Sequence, residues 1–482
     1  MIVLKFGGTS VKDAAAIRRL AAITEERLAE KPVVIVSALS GITDSLIAMA
    51  KAAGAKQLTQ ANKTLRQARQ RHLSLLAELV KGGDLNKGRD IVNAHFDSLQ
   101  DVLRGVAALG ELSPRTMDNV LCMGELLSSN IVALALKQAG METVFVDSRQ
   151  CVVTDGNHTR AVPQFEETNQ RCRTNLKPLL AKGQVPVMGG FIASTEEGIS
   201  TTLGRGGSDF SAAIVGAALR AKRIEIWTDV SGMMTTDPRI CPDAQRIELI
   251  SFDEAAELAF FGAKVLHPAT LIPAIQKNIP VSILNSQDPI NKGTCIRSKA
   301  PRSHTVFRAI ALKKNVKVVS VKSPRMLQAH GFFRALFDSF DKHAMAADLV
   351  STSEVNVSVA LDSSRDLDSL LHDLAKLGDV QVEDNKAIVC LVGTNIVGRV
   401  GVAAEVFAVL AAARINMHMI SQGASEINIS VVIEERDAAE AVKHLHRHFF
   451  ERTAGKPNGK GITEGFEALP LGHTALSAME VN

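Results

Sequence analysis

The chain contains no tyrosine and a single tryptophan, Trp227, and aromatic residues make up only 4% of its 482 residues. Stacking on a ligand ring or hydrogen bonding from a phenol must therefore be supplied by other residue types, or not at all. Excess charge is also lacking, because the formal net charge is only +4 and no strong basic stretch appears. We therefore expect no nucleic-acid partner, and an acidic substrate would have to be bound by individual cations.

Cysteine pairs and targeting segments are absent as well. The six cysteines lie more than 20 residues apart, without a Cys-x-x-Cys pair, which argues against zinc or a disulfide framework. The chain begins with a strand-like run rather than a leader, and we expect that no apolar stretch reaches the length needed to span a bilayer. The sequence therefore predicts a cytoplasmic protein with no membrane partner and no bound metal of its own.

Short apolar runs alternate with helix-forming segments in the first part of the chain. The runs are residues 2–6, 32–39, 143–148, 184–192, 223–230 and 279–286. This alternation predicts an α/β fold with a mostly parallel sheet sandwiched by helices. Residues 44–138 are nearly all helix formers and too many for one crossover, so we expect a helical insertion there.

The composition changes at a polar, proline-containing joint at residues 300–308, so we expect a first domain over 1–300. Beyond it, residues 331–361 align with 401–433, and the leading glycines are 70 residues apart. The repeat predicts two α+β modules within 301–450, the first at about 316–385 and the second at about 387–450 with a strand at about 306–313. Residues 451–482 lack periodicity and are expected to form a flexible tail.

Glycine and polar residues follow four of the predicted strands. They are Gly7-Gly8, Ser37, Gly189-Gly190 and Thr228-Asp229. Ligands of an open parallel sheet bind beyond the carboxyl ends of its strands. The four positions therefore predict a binding site at one edge of the sheet.

The stretch "LKFGGTS" (4–10) is not a P-loop, because its lysine precedes the glycines. The segment "GRGGSD" (204–209) surrounds Arg205 with glycines just before an apolar helix, so amide groups and a helix N-terminus would face an anion. The alternative is a plain glycine turn with Ser208 as the helix N-cap. The arginine favours an anion site, because a guanidinium can bind a carboxylate through two parallel hydrogen bonds.

Two further segments carry residues that could take part in chemistry. Residues 228–239 and 261–268 provide a second polar loop and a second lysine, Lys264, although a solvated surface lysine is the simpler interpretation. The segment "HLHRH" (444–448) resembles a metal tract, but on a helix only His444 and His448 share a face. We therefore predict no metal site at this segment.

Six segments, taken together and in order, resemble the aspartokinases of the amino acid kinase superfamily. They are "KFGGTSV", "SALSGIT", "MGELLS", "TTLGRGGSDF", "WTDVSGMMTTDPR" and "GAKVLHP", and the C-terminal repeats resemble paired ACT domains. The chain looks most similar to the lysine-sensitive monofunctional type. The resemblance implies ATP-dependent phosphorylation of the β-carboxylate of L-aspartate to 4-phospho-L-aspartate, the first step of lysine, threonine and methionine biosynthesis. It also implies Mg²⁺ held mainly through the phosphates.

The resemblance implies roles for individual residues. Lys5, Asp209 and Lys264 would be catalytic. The ATP-binding residues would be Lys5, Gly7, Gly8, Thr228, Asp229, Met234, Arg239, Lys264 and Val265, and the aspartate-binding residues would be Ser37, Thr43, Glu125, Gly190, Phe191, Arg205 and Ser208. Met234 stands where relatives commonly carry a tyrosine, so a thioether contact would replace ring stacking on the nucleotide.

The first C-terminal module matches the effector pocket of lysine-inhibited relatives. The pocket would contain Met326, Ala329, Gly331, Phe332, Phe333, Asp348, Ser353 and Glu354, with Ala329 where a serine is usual. The resemblance implies feedback inhibition by L-lysine and a homodimer formed through the ACT domains, with a tetramer as a further option. The alternative for Asp348 and Glu354 is that both are solvated turn charges.

Two other functions remain open from the sequence. One is another amino acid kinase, of the acetylglutamate kinase or glutamate 5-kinase type, although these lack the paired ACT copies. The other is a catalytically silent amino-acid sensor, against which stand the intact Lys5, Arg205, Asp209 and Lys264.

Overall fold

The computed structural model describes residues 1–262, 268–300, 305–326, 330–363, 367–423 and 427–451. The strands within these ranges are β1 Ile2–Phe6, β2 Pro32–Val36, β3 Thr143–Val146, β4 Val185–Gly189, β5 Ile192–Ser194, β6 Ser200–Thr202, β7 Ile224–Thr228, β8 Leu249–Ser251, β9 Val281–Asn285, β10 Thr294–Arg297, β11 Ala309–Lys322, β12 Leu349–Thr352, β13 Asn356–Asp362, β14 Asp379–Val392, β15 Met419–Ser421 and β16 Asn428–Glu434. The α-helices are α1 Ala14–Glu25, α2 Ile42–Gly54, α3 Leu58–Leu79, α4 Gly82–Leu109, α5 Pro114–Gln138, α6 Phe165–Ala181, α7 Gly207–Leu219, α8 Phe252–Phe260, α9 Ile272–Gln276, α10 Phe332–Lys342, α11 Asp368–Leu374, α12 Val402–Ala412 and α13 Ala438–His446.

The N-terminal part of the chain is built on an eight-stranded sheet with the order β3-β4-β2-β1-β7-β9-β10-β8. The pairs from β3 through β9 are all parallel, and only β10 runs antiparallel to its neighbour β9. The central strands β1 and β2 are buried along their whole length, which is why they appear in the sequence as unbroken apolar runs. The predicted α/β fold with a mostly parallel sheet is confirmed.

Helices α2 to α5 occupy the region predicted as a helical insertion. The last of them, α5, begins at a Ser113 N-cap, whose hydroxyl accepts a hydrogen bond from the Thr116 amide, with Pro114 in the first turn. Among the described residues α5 is the one helix long and apolar enough to cross a membrane, but 89% of its apolar stretch is buried inside the protein. The expectation that no stretch reaches this length is therefore wrong, because polar residues such as Asp118 and Glu125 interrupt the apolar run, while the mean hydropathy of the helix stays high. The burial assigns α5 to the core.

The C-terminal part forms a six-stranded antiparallel sheet with the order β12-β13-β11-β14-β16-β15. Its central strands β11 and β14 pair over most of their length, with a register irregularity between Lys313 and Val316. Helices α10 and α11 cover one half of this sheet, and α12 and α13 cover the other half. The two sequence repeats therefore share long central strands within one sheet, because each copy contributes half of β11 and half of β14.

The repeat is visible in the backbone. Gly331 and Gly401, the glycines that align in the sequence, are the N-caps of α10 and α12, with φ angles of +93° and +88°. Left-handed backbone of this kind favours glycine over residues with a Cβ. The alignment of the two copies therefore rests on a shared turn as well as on a shared apolar pattern.

Helix α8 joins the two sheets. It begins with a capping box between Ser251 and Glu254, and the other carboxylate oxygen of Glu254 accepts a 3.0 Å hydrogen bond from the Thr394 amide of the C-terminal part. Leu258 of α8 packs in the same core cluster as Ile388 and Val432 of the six-stranded sheet. Helix α8 therefore contacts the C-terminal sheet both through a hydrogen bond and through a shared apolar core.

Candidate active site

A cavity of about 670 Å³ opens at the carboxyl edge of the parallel sheet. Among the predicted site residues, its lining contains Lys5, Gly8, Ser37, Thr43, Glu125, Phe191, Arg205, Ser208 and Asp209. These residues come from the ends of β1, β2 and β4, from α2 and α5, and from the start of α7. Gly7, Gly190, Thr228, Asp229, Met234 and Arg239 are not part of this lining.

The two glycines after β1 allow the chain to turn close to its neighbours. The Gly7 amide donates a hydrogen bond to the Trp227 carbonyl at 3.0 Å, which ties the turn to the end of β7. A Cβ at Gly8 would lie 3.0 Å from the Ala38 carbonyl oxygen, closer than ordinary contact. A side chain at position 8 would therefore push the turn away from the end of β2 and change the edge of the cavity.

Lys5 and Asp209 form an ion pair inside the cavity. The Lys5 ammonium lies 2.7 Å from Asp209 Oδ1, and the two side chains are only 10% and 14% exposed. Lys5 is on β1 and Asp209 is in the first turn of α7, so the fold joins residues 204 positions apart. The same Oδ1 is buried and accepts no well-aligned hydrogen bond from the described residues, so it retains capacity for another donor.

Glycines in the loop before α7 and directly after β4 allow these two segments to approach each other closely. Gly206, in left-handed backbone, is the N-cap of α7, so the alternative that Ser208 caps this helix is wrong. Ser208 instead lies in the first turn, and a Cβ at Gly190 would come within 2.7 Å of the Ser208 Cβ. Gly190 therefore makes room for α7, which points its N-terminus at the cavity.

Arg205 is the exposed cation of this loop. Within the described ranges it forms no salt bridge, and it lines the cavity together with Ser37, at the end of β2. A guanidinium without a protein partner can bind an incoming carboxylate through two hydrogen bonds. This geometry suits the predicted role of Arg205 in acceptor binding.

Glu125 is a buried acid on α5. One oxygen, Oε1, accepts a 3.1 Å hydrogen bond from the Ala38 amide, while Oε2 has no hydrogen-bond partner among the described residues. Burial raises the pKa of the Glu125 carboxyl to about 8, and the Ala38 bond and the Lys5 charge only partly oppose that rise. A buried carboxylate oxygen without a partner is costly, so this atom indicates a site for a ligand cation.

Two residues predicted to bind nucleotide lie at the end of β7, on the side of β1 away from β2. Thr228 and Asp229 end β7, the neighbour of β1, and the Thr228 hydroxyl donates to Asp229 Oδ1 at 3.2 Å. Arg239 is 88% exposed and forms a two-pronged pair with Asp237, which holds the pKa of that carboxyl below its ordinary value. Thr228 and Asp229 thus follow Trp227, whose carbonyl accepts the hydrogen bond from the Gly7 amide.

Three predicted site residues, Lys264, Val265 and Ala329, lie outside the described residues. The predicted meeting of Lys5 and Lys264 across a nucleotide therefore remains a prediction.

The predicted effector residues of the C-terminal part have different environments. Phe332, the first residue of α10, is packed in the core, whereas Phe333 is 45% exposed. Met326 packs at the border of the same core. Ser353 and Glu354 are exposed at the turn between β12 and β13. Glu354 therefore fits the interpretation as a solvated turn charge.

The carboxylate of Asp348 is buried and already has a partner. Its side chain is only 6% exposed, and its Oδ2 lies 2.5 Å from the ammonium of Lys313 on β11. Burial raises the pKa of Asp348 above its ordinary value, and the Lys313 hydrogen bond opposes this rise. The Lys313 ammonium also lies 5.8 Å from the centre of the Phe260 ring, at the end of α8. Sequence reasoning did not find Lys313, because nothing along the chain links it to a residue 35 positions away.

A cluster of potential metal ligands lies away from the cavity. Ligand atoms of Cys241, His446 and Glu451 lie within 4.8 Å of one another, and the ring of His446 is fully buried against the Thr235 hydroxyl. From "HLHRH" we predicted no metal site, because only His444 and His448 share a helix face; in the structure it is His446, between them, that faces the interior. The polar contacts of His446 connect the segment after β7 to the end of α13.

The comparisons with known proteins agree with this architecture. A model of the amino acid kinase family matches residues 1–285, and a model of the ACT domain matches residues 389–449. Lysine-sensitive aspartokinase 3 of Escherichia coli is 37% identical over 94% of this chain and 99% of its own length. The aspartokinase of Schizosaccharomyces pombe is 33% identical over 94% of this chain and 93% of its own length.

Two crystal structures of E. coli aspartokinase III have similar folds. The complex with aspartate and ADP matches with a TM-score of 0.81 and 36% identity, over 93% of this chain and all of the other. The complex with lysine and aspartate gives a TM-score of 0.80 at the same identity, over 93% and 99% of the two chains. The chain therefore belongs to the amino acid kinase family, and within that family to the aspartokinases. The resemblance drawn from the six sequence segments is confirmed, and the chain is a kinase that acts on aspartate.

Proposed function

We propose that the cavity binds L-aspartate and that ATP lies beside it, across the Gly7-Gly8 turn, so that the γ-phosphoryl group reaches the β-carboxylate. The observation that carries the proposal is the set of charges in the cavity: a paired lysine, an arginine free to bind an anion, and a buried acid with a vacant oxygen. Aspartate has two carboxylates and one ammonium, which are complementary to these groups.

Each end of the substrate has a partner in this arrangement. Arg205 binds a carboxylate of aspartate, and Glu125 Oε2 accepts the α-ammonium. Ser37, Thr43, Phe191 and Ser208 complete the acceptor site. Because a carboxylate with an ordinary pKa is already ionised at neutral pH, the nucleophile needs no general base.

Catalysis is then a matter of positioning and of charge neutralisation. Lys5 lies at the boundary between the aspartate cavity and the Gly7-Gly8 turn, where it would stabilise the charge that develops on the transferred phosphoryl group. Asp209 holds Lys5 in place, and we propose that Asp209 also holds Lys264. Thr228, Asp229, Met234, Arg239 and Val265 would contact ATP, together with the amides of Gly7 and Gly8.

Mg²⁺ fits this site as an ion bound mainly by phosphate oxygens. The carboxylate nearest Lys5, Asp209, is already neutralised by that lysine, so the described part of the cavity offers no free cluster of acidic ligands. Magnesium commonly keeps waters and substrate phosphates in its coordination shell rather than an all-protein cage. When bound, it would neutralise part of the phosphate charge.

We also propose feedback inhibition by L-lysine at the C-terminal sheet. Support comes from the E. coli relative, which is named a lysine-sensitive aspartokinase, from the complex of E. coli aspartokinase III with lysine, and from the buried carboxylate of Asp348. An ammonium group of the effector would replace Lys313 on Asp348. Residues 1–300 would form the catalytic unit and 301–450 the regulatory unit of a cytoplasmic homodimer joined through the ACT domains.

Release of ADP in the presence of different acceptors tests the proposal. The purified chain is assayed with MgATP and L-aspartate, with N-acetylglutamate, with glutamate, or without an acceptor, each with and without millimolar lysine or threonine. We expect L-aspartate to be the only acceptor that supports turnover, and we expect lysine to inhibit that turnover. Turnover with another acceptor would point to a different amino acid kinase, and no turnover with any acceptor would point to a sensor. Inhibition by threonine alone would reject the effector while keeping the activity.

A further inference from the structure

A second acidic residue of α5 is buried close to the aspartate cavity. Asp118 is fully buried, and Glu125 follows it by seven residues, so the two carboxyl groups lie on the same face of the helix about two turns apart. Glu125 lines the cavity, whereas Asp118 lies behind its wall. Nothing in the proposed reaction uses Asp118.

The Asp118 carboxylate is fully engaged by the segments that form this wall. The Thr159 amide lies 3.1 and 3.0 Å from its two oxygens, and the Thr202 hydroxyl donates to Oδ1 at 2.6 Å. The ring nitrogen Nδ1 of His158 lies 2.8 Å from Oδ2. Three donors, from the loop at His158 and Thr159 and from the end of β6, therefore converge on one buried carboxylate, which compensates for its burial and fixes both segments to α5.

The backbone that Asp118 holds is strained. Thr159 has a φ angle of +70°, a left-handed conformation that is unfavourable for a β-branched residue. Such a conformation persists only where the surroundings impose it. Thr159 also lines the cavity, so the conformation that Asp118 imposes is part of the wall of the acceptor site.

The strained segment supports the loop that carries Arg205. A Cβ at Gly204 would lie 3.3 Å from the Thr159 carbonyl oxygen, and the Ala161 amide donates to the Thr202 carbonyl at 3.0 Å. The Thr159 segment therefore packs directly behind the residue that precedes Arg205. Movement of Thr159 would change the position of the guanidinium relative to the cavity.

We infer that Asp118 is a positioning residue for the acceptor site: it holds Thr159 and Thr202 so that Arg205 faces the substrate carboxylate. The inference rests on the proposed binding of L-aspartate in this cavity. It assigns Asp118 no contact with ATP, because its partners all lie on the α5 side of the cavity.

The variant Asp118→Asn tests this role with little change of volume. An amide cannot accept hydrogen bonds on both of its ends, so at least one of the three donors loses its partner. We expect the KM for aspartate to rise about tenfold or more, the loss typical of a hydrogen bond to a charged group, with the KM for ATP within about twofold of wild type. Asp155→Asn is the matched control, because Asp155 accepts bonds from the Asn157 and Val162 amides of the same loop without lining the cavity.

Thr202→Val provides a second variant if Asp118→Asn folds poorly, since it removes one donor and leaves the carboxylate in place. Direct titration with L-aspartate and thermal unfolding are measured beside the kinetics. A lower melting temperature with both KM values unchanged, or an equal rise in both, would assign Asp118 a purely structural role and overturn the inference. A wild-type chain without aspartate-dependent turnover would instead reject the proposed function on which the inference rests.

Discussion

The carboxyl of Glu125 provides the sharpest test of the acceptor site, because its ionisation should control aspartate binding. With a pKa of about 8, the free enzyme holds this group ionised in about one molecule in ten at pH 7 and in about nine in ten at pH 9. Only the ionised form can bind the α-ammonium through Oε2. We therefore expect kcat/KM for aspartate to rise about tenfold between pH 7 and pH 9, with its midpoint near the pKa of the free enzyme.

Replacement of Glu125 by glutamine measures how much its charge contributes to kcat/KM for aspartate. Removing one partner of a buried, hydrogen-bonded charge pair costs about 2–5 kcal/mol, so at pH 9 Glu125→Gln should lower kcat/KM for aspartate about 30-fold or more. At pH 7 about nine wild-type molecules in ten are already protonated at Glu125, so the difference between the two proteins should shrink about tenfold. The pH profile of the variant should be flat over this range.

Initial rates of ADP release over pH 6.5–9.0 provide the measurement. Glu111→Gln, at an exposed position just before α5, is the matched control and should keep the wild-type profile. A wild-type profile without the rise, or a variant that retains it, would refute the assignment of the ammonium to Glu125.

The same carboxyl should lower the stability of the protein at high pH. The rise in pKa from an ordinary value of 4.5 to about 8 means that the folded state holds a proton which the unfolded state has lost. Stability should therefore fall as the pH rises from about 4.5 to about 8, by about 5 kcal/mol in total. Glu125→Gln keeps the acceptor for the Ala38 amide and removes the titration, so its melting temperature should exceed that of wild type at pH 9 and approach it near pH 5. A variant that is less stable than wild type at pH 9 would contradict this account.

Three further substitutions test the other charges. Lys5→Ala should lower kcat about 100-fold or more, the loss seen when one preorganised donor is removed, and near wild-type turnover would exclude Lys5 from the mechanism. Arg205→Lys should raise the KM for aspartate much more than the KM for ATP, because the charge remains but the two-pronged geometry is lost, and a change in the ATP value alone would argue against the carboxylate contact. Lys313→Met should lower the lysine concentration needed for half-inhibition, because Asp348 loses its internal cation, whereas the exposed neighbour in Lys314→Met should leave it unchanged. Weaker inhibition in Lys313→Met would show that the ion pair supports the effector site rather than competes for it.

The sequence predicted the strands of the parallel sheet well, because each is a short run of buried apolar residues. All six predicted runs contain a strand, β1, β2, β3, β4, β7 or β9, and the residues that follow four of them lie at neighbouring strand ends. The motif around Arg205 was also recognisable, because glycines at a loop before an apolar helix have few other uses. These features are local, so they can be identified from neighbouring residues.

Features that depend on distant partners could not be predicted. The pairing of Asp348 with Lys313, the burial of Asp118 and the shift in the pKa of Glu125 all arise from contacts between separate elements. One signal was available for Asp118: it precedes Glu125 by seven residues in an apolar helix, and this spacing places both acids on the same face.

The amino-acid order by itself determined the strands, the helices, the repeat of the C-terminal part and the family, since each depends on the local pattern of apolar residues, glycines and charges. Only the tertiary structure decided how the charges act. It placed the Lys5 ammonium against Asp209 and left one oxygen of Glu125 without a hydrogen-bond partner among the described residues, because burial and the approach of distant segments set the solvation of each group. The identity of a charged residue is fixed along the chain, but its ionisation and its partner are fixed by what surrounds it in space.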